Sequence, residues 1–287
     1  MKLFSLLALL VCNIFAFNLS SSTVANGKTV LIEFDKQKDT IYKDVIFNKK
    51  RYKIFLNPVN KTKSYVLLPI SYYQKPSKKI VKIEYLQNGK KRYKTVFIRV
   101  KEGNYKKEKI KVNKSKVNPK AKDVKKRISR EYNEAMRIYN HITKKSYIDS
   151  DFILPIDSNI TSAFGTARIY NGSLKGYHSG TDFRAKMGTP IVASNDGVVA
   201  LVKKRFYSGG TVIIDHGEGI YTCYFHMSKF NVKKSQFVKK GEVLGLSGKS
   251  GRVTGPHLHF SARVYGVQVD PLELISLLNN KLLKDKK

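Results

Sequence analysis

At 287 residues the chain has room for one or two compact domains with extensions, and 41% apolar residues are enough to build a core. Its net charge of +34 comes from 55 Lys and Arg against 21 Asp and Glu. The lysines are spread along the whole chain and no nucleic-acid motif accompanies them, so a nucleic-acid partner rests on charge alone and is not expected. Attraction to an anionic wall or membrane surface is a by-product of this composition.

The chain opens on Met1 and Lys2, followed by an apolar run to Ala16. That run is too short for a membrane-spanning helix. It reads as a secretory signal peptide over residues 1–16, cleaved near Ala16, with an uncleaved anchor as the alternative. A lipid attached at Cys12 is disfavoured by the bulky Val11 before it. Removing the signal leaves Cys223 alone, so no intramolecular disulfide is expected. Cys223 lies in the apolar run Tyr221–Phe225 and is expected to be a small buried hydrophobe.

Residues 17–112 form a predicted β-rich domain. Thr29–Phe34, Tyr52–Leu56 and Tyr65–Ile70 are rich in β-branched and aromatic residues and read as strands. Ile80–Leu86 and Tyr93–Val100 flank Asn88-Gly89, a pair suited to a two-residue turn in which both residues take positive φ. Several short strands at this spacing suggest a small β-sandwich. Residues 113–149 are a predicted helical linker, with Asn118 as N-cap, Pro119 in the first turn and the helix running to about Ile142. Val124, Ile128, Tyr132, Met136 and Tyr139 make its apolar stripe. His141, at its end, is expected to be a polar helix terminus.

From Phe152 the strands are short and the turns rich in Gly, which favours an antiparallel β domain with a groove over residues 150–275. Pro271–Leu283 reads as a short helix, and residues 276–287 as a basic, solvated tail. The fold class expected for the whole chain is mainly β.

The chemistry gathers around His257-Leu258-His259-Phe260. Side chains at i and i+2 of a strand share a face, so His257 and His259 project side by side while Leu258 and Phe260 turn to a core. Imidazoles are common metal ligands, but a zinc site needs three or four donors. Upstream, His178-Ser179-Gly180-Thr181-Asp182 holds a His and an Asp around a glycine able to bend tightly. His178, Asp182 and His259 would supply two nitrogens and one oxygen, leaving a fourth position open as in catalytic zinc sites.

These segments, together with Thr161–Gly165, Asp182–Ala185, Gly188–Ile191, Asp196–Val199 and Lys240–Gly245, resemble the lysostaphin-type (LytM) zinc peptidases over about residues 150–275. The β-rich segment before them is loosely similar to the domain preceding the peptidase in Gram-negative periplasmic members. The resemblance implies Zn2+ held by His178, Asp182 and His259, with His226 and His257 filling the base and oxyanion-donor places. His226 is placed at the end of the strand Tyr221–Phe225, on the same face as Thr222 and Tyr224. His216 is read as a turn or rim residue, and Tyr170 and Asn171 as loop residues lining the groove. Val253 and Ser261 depart from the family pattern.

The implied activity is peptidoglycan D,D-endopeptidase, with D,D-carboxypeptidase trimming as a second activity, in cell-wall remodelling and cell shape. The expected location is periplasmic. The expected partner is peptidoglycan, with other cell-wall enzymes beside it, and the expected state a monomer. The alternative is a catalytically silent LytM-type activator of a wall amidase. Silent members usually lack the ligands this chain retains.

Overall fold

The structure is a computed structural model and describes residues 17–110, 121–170 and 173–284. The segment read as a signal peptide, and Asn118 and Pro119, lie outside the described residues. Among the described residues, no helix is long and apolar enough to cross a membrane.

The N-terminal half is two sheets. One has four strands, built around Thr29–Asp35 and Lys63–Pro69; the other has five, centred on the hairpin Ser77–Gln87 and Lys90–Lys101. Asn88 and Gly89 join that hairpin with φ of 49° and 72°, the positive values a two-residue turn requires. Alternate side chains of both sheets meet in one core containing Ile32, Phe34, Phe47, Val66, Leu68 and Ile83. The segment expected as one strand over Tyr52–Leu56 is instead two, Lys50–Lys53 and Phe55–Leu56, each pairing in a different sheet. Ile54 is therefore where the chain changes sheets.

The connecting helix spans Lys122–Asn140 and starts at Ala121, which makes no side-chain cap bond. Its buried face is Glu131, Ala135 and Tyr139 rather than a stripe through Tyr132, which is exposed. Ala135 and Tyr139 pack on Leu201, Ile213, Tyr221 and Cys223, so the helix lies on a sheet of the C-terminal half. His141 takes the C-cap position, as expected. Burial pushes the Cys223 thiol up to about 11, consistent with an inert apolar role.

The C-terminal half is organised by a long antiparallel sheet in the order Ile160–Ser162, Thr181–Arg184, His257–Val264, Ile220–Met227, Gly209–Asp215, Gly197–Arg205 and Phe237–Val238. A C-terminal helix, Pro271–Leu277, is capped by the Asp270 carboxylate and continues as a π-helix to Leu282. Leu278, Leu282 and Leu283 are fully buried. The expected solvated tail from residue 276 is therefore core up to Leu283, because its leucines recur at helical spacing.

Those leucines pack with Leu31, Tyr65 and Leu67 of the N-terminal half and with Ile148, Phe152 and Val264. The two halves thus share one continuous hydrophobic core. Two carboxyl groups lie along it, Glu218 buried and Glu273 half-buried. The Tyr65 hydroxyl donates to Glu218, and the Thr29 amide donates to Glu273 at 3.2 Å. Burial pushes both carboxyls up to about 7.

A carboxyl whose folded-state pKa is raised stabilises the fold fully below its unfolded pKa of about 4.3, and that contribution is lost as pH rises through about 7. The thermal midpoint of the protein is therefore expected to fall between pH 5 and pH 8. Glu218→Gln combined with Glu273→Gln keeps both acceptors and should flatten this decline by a few degrees, since 1 kcal/mol moves the midpoint by about 2–4 °C. Parallel melting curves for the two proteins would refute the assignment.

Candidate metal centre

Asp182 faces His259 directly across the antiparallel pair of Thr181–Arg184 with His257–Val264. Leu258 and Phe260 point to the opposite side and are fully buried in the sheet's core. This alternation places both strand histidines on one face, as the sequence suggests.

His178 reaches the same point from the preceding loop. Its Nε2 lies 3.0 Å from Asp182 Oδ1 and 3.0 Å from His259 Nδ1, and His259 Nδ1 lies 2.8 Å from Asp182 Oδ1. His178, Asp182 and His259 are all buried and could hold one metal ion. The donor set suits the group: two imidazole nitrogens and one carboxylate oxygen converge, a combination found in open, catalytic zinc sites. His178 Nδ1–H donates to the Ala163 carbonyl at 3.0 Å, which leaves the lone pair on the nitrogen facing the cluster. Burial alone would push the Asp182 carboxyl up, but its close contacts with the His178 and His259 rings outweigh it and hold the carboxyl well below its ordinary range. Burial lowers the pKa of His259, favouring the neutral ring a metal requires.

Gly180 serves this cluster differently from the expected bend. A Cβ there would stand 2.3 Å from the Phe260 carbonyl oxygen and 2.6 Å from His259 Nε2. The glycine lets the His178–Asp182 loop lie directly against the His259 strand.

His226 and His257 complete the rim, with ring centroids 4.8 Å apart. His257 Nε2 is 3.7 Å from Asp182 Oδ1, and its Nδ1–H donates to the Gly255 carbonyl at 2.9 Å. His226 Nδ1–H donates to the Ser250 carbonyl at 2.9 Å. Burial pushes the His226 ring down to about 3, aided by His259 nearby.

His226 arrives here by a route the sequence pattern does not show. It lies within the strand Ile220–Met227, not beyond its end. Tyr224 pairs with Phe260 on the core side and Phe225 with His259 on the other, so strict alternation would send His226 toward the core. Instead His226 takes φ 64°, and the pairing with Gly209–Asp215 shifts register around it. This local irregularity returns the ring to the face of His257 and His259.

His216 is not a rim residue but fully buried, with Nδ1–H donating to the Asp196 carbonyl at 2.7 Å and Nε2 2.7 Å from Thr222 Oγ1. Burial pushes it down to about 4, and it ties the sheet to the 194–196 segment. Ser261 donates to the Ser179 carbonyl at 2.9 Å, bracing the loop that carries His178. The sequence reading of Ser261 as a residue around the centre rather than in it agrees with this contact. Tyr170 ends the strand Ala167–Tyr170 rather than a loop, and Asn171 lies outside the described residues.

Residues 176–271 match the family described as Peptidase family M23. Peptidoglycan DD-endopeptidase ShyA of Vibrio cholerae is 43% identical over 122 residues, covering 42% of this chain and 28% of that protein. DD-carboxypeptidase/endopeptidase Mpg of Neisseria meningitidis is 42% identical over 97 residues, covering 34% of this chain and 22% of that protein. The chain therefore spans under a third of the length of these curated relatives. A crystal structure described as a peptidase M23 from Pseudomonas aeruginosa superposes with a TM-score of 0.67 at 26% identity, covering 88% of this chain and 94% of that one. That likeness extends through the N-terminal sheets.

Removing a ligand should empty the centre: His178→Ala or His259→Ala is expected to abolish stoichiometric metal uptake, measured by elemental analysis. Gly180→Ala leaves all three ligands in place yet forces the loop from the strand. A loss of metal affinity of about 10–100-fold is expected, the range for disturbed support of a ligand. Unchanged affinity in Gly180→Ala would show that the close approach is unimportant.

Proposed function

From the match of residues 176–271 to peptidase family M23, we propose that the protein is a zinc-dependent peptidoglycan hydrolase. It cuts stem-peptide cross-links as a D,D-endopeptidase and trims terminal D-Ala as a D,D-carboxypeptidase. The observation that carries this reading is the buried His178, Asp182 and His259 cluster with two further imidazoles on its rim. Relatives that share this segment are named for both activities. Both reactions present a D-Ala carbonyl to the same centre and differ only in the leaving group beyond it.

When bound, zinc polarises the scissile carbonyl and makes water acidic enough to react near neutral pH. The chain supplies the proton transfers. A neutral imidazole has one donor and one acceptor nitrogen. In both rim histidines Nδ1 is the donor, held to a backbone carbonyl. Nε2 is then the acceptor on each ring.

His257 is the more open of the two, with its side chain 18% exposed, and takes the proton of the attacking water at Nε2. It returns that proton to the departing amine. His226 is assigned the oxyanion side: its Nε2 takes a proton from solvent as negative charge develops on the scissile oxygen, and donates a hydrogen bond to that oxygen.

The alternative of a silent amidase activator is weakened by this completeness, since both rim histidines and all three candidate ligands are assembled. The apolar run after Lys2 supports export to the periplasm, where the substrate lies.

Sacculi treated with the zinc-loaded full chain should lose cross-linked dimers and gain monomeric stem peptides, with glycan length unchanged. A gain of tetrapeptides at the expense of pentapeptides would report trimming. Muropeptide chromatography reads both, and unaltered sacculi would defeat the enzyme reading. His257→Ala should keep its zinc while losing turnover by about a hundredfold or more. Zinc loss equal to that of His259→Ala would mean that the two strand histidines have been assigned the wrong roles.

A further inference from the structure

A groove of about 580 Å³ runs between the connecting helix and the sheet, beside the metal centre. Its near end is formed by Ser179, next to His178, and by Phe225, whose ring stacks on His259 with centroids 5.4 Å apart. His259, Ser261 and Arg263 succeed one another on a single face of the His257–Val264 strand. At about 3.4 Å per residue, Arg263 lies some four residues, or about 13 Å, along the strand from the ligand His259. The groove is thus a continuation of the metal centre along the sheet.

Two guanidinium groups, Arg205 and Arg263, also line the groove. Arg205 donates to the Glu131 backbone carbonyl at 2.7 Å, and its Nε is buried without a hydrogen-bond partner among the described residues. Arg263 donates to the Gly266 carbonyl at 2.7 Å and to the Gln268 side-chain oxygen at 3.3 Å, and stacks on Tyr139 at 4.3 Å. These partners are all neutral. Among the described residues neither arginine has a carboxylate within ion-pair distance. The acid in the groove, Glu131, is already engaged by Arg127 at 2.8 Å and by the Phe206 amide at 2.8 Å. Two half-buried guanidiniums, each with five N–H donors, thus have no ion-pair partner among the described residues, within a wall of Tyr132, Met136, Tyr139 and Phe225.

We propose that this groove is a substrate subsite that seats a free carboxylate of the stem peptide on Arg205 and Arg263 while the scissile bond lies at the metal centre. The proposal rests on the peptidase reading above. Guanidiniums recognise carboxylates through paired N–H donors, and the apolar wall suits the aliphatic part of a peptide arm. The groove exists because the connecting helix lies over the sheet, so this element sets the substrate's register as well as joining the two halves.

The test uses the full chain carrying His257→Ala, which blocks turnover, and measures equilibrium binding by calorimetry. The probes are a cross-linked stem-peptide dimer with free carboxylates and the same dimer with its carboxylates amidated. The free form should bind about tenfold or more tightly, the scale of a hydrogen bond to a charged group. Adding Arg263→Gln, or separately Arg205→Gln, should bring the ratio of the two affinities to about one, with an unchanged thermal midpoint identifying a folded variant.

Equal affinities for both probes in the starting protein, or a ratio that survives both glutamine variants, would overturn the proposal. Failure of the wild-type chain to cleave sacculi would count against the hydrolase reading instead, and the binding ratio would still report on the groove.

Discussion

Everything at the centre depends on the register that sets Asp182 opposite His259 in the antiparallel pair. A slip of one residue would turn His257 and His259 into the core and expose Leu258 and Phe260, exchanging imidazoles for apolar side chains on each face. The register is locked by what lies behind it, since Phe183, Leu258 and Phe260 are buried in one cluster with Ile191, Ile214 and Tyr224. The energy that holds the ligands together is therefore largely hydrophobic and lies on the reverse side of the sheet.

The charges at the centre are managed by the same architecture. Three buried polar side chains meet there, and among the described residues no lysine or arginine bonds to them, although the chain carries a net charge of +34. Burial lowers the pKa of His226 and His259, and contact with the two rings beside it lowers that of the Asp182 carboxyl. Both directions favour the forms that bind a metal.

The N-terminal sheets are more than an appendage. Leu31, Tyr65 and Leu67 fill the same core as Leu274, Leu278 and Leu282, and the Tyr265 hydroxyl donates to the Lys53 carbonyl at 3.0 Å. Cutting the chain at the linker would uncover this core, so the full chain is the proper unit for measurement. The linking helix belongs to the C-terminal sheet through Ala135 and Tyr139, and one wall of the groove is its side.

The sequence by itself determined much of the centre, because its information is local. Period-2 alternation put His257 and His259 on one face, and Asn88-Gly89 marked its hairpin, since both features are properties of a few adjacent residues. Other features depended on contacts between distant segments, which no local pattern encodes. The positive φ at His226 reverses the face that alternation assigns it, and Gly180 answers to the distant strand that carries His259 and Phe260. The burial of His216, and of the leucines in the supposed tail, is set by the segments that pack over them. Arg205 and Arg263 line one groove only because the helix docks over the sheet, since tertiary packing brings together side chains whose separation along the chain carries no period.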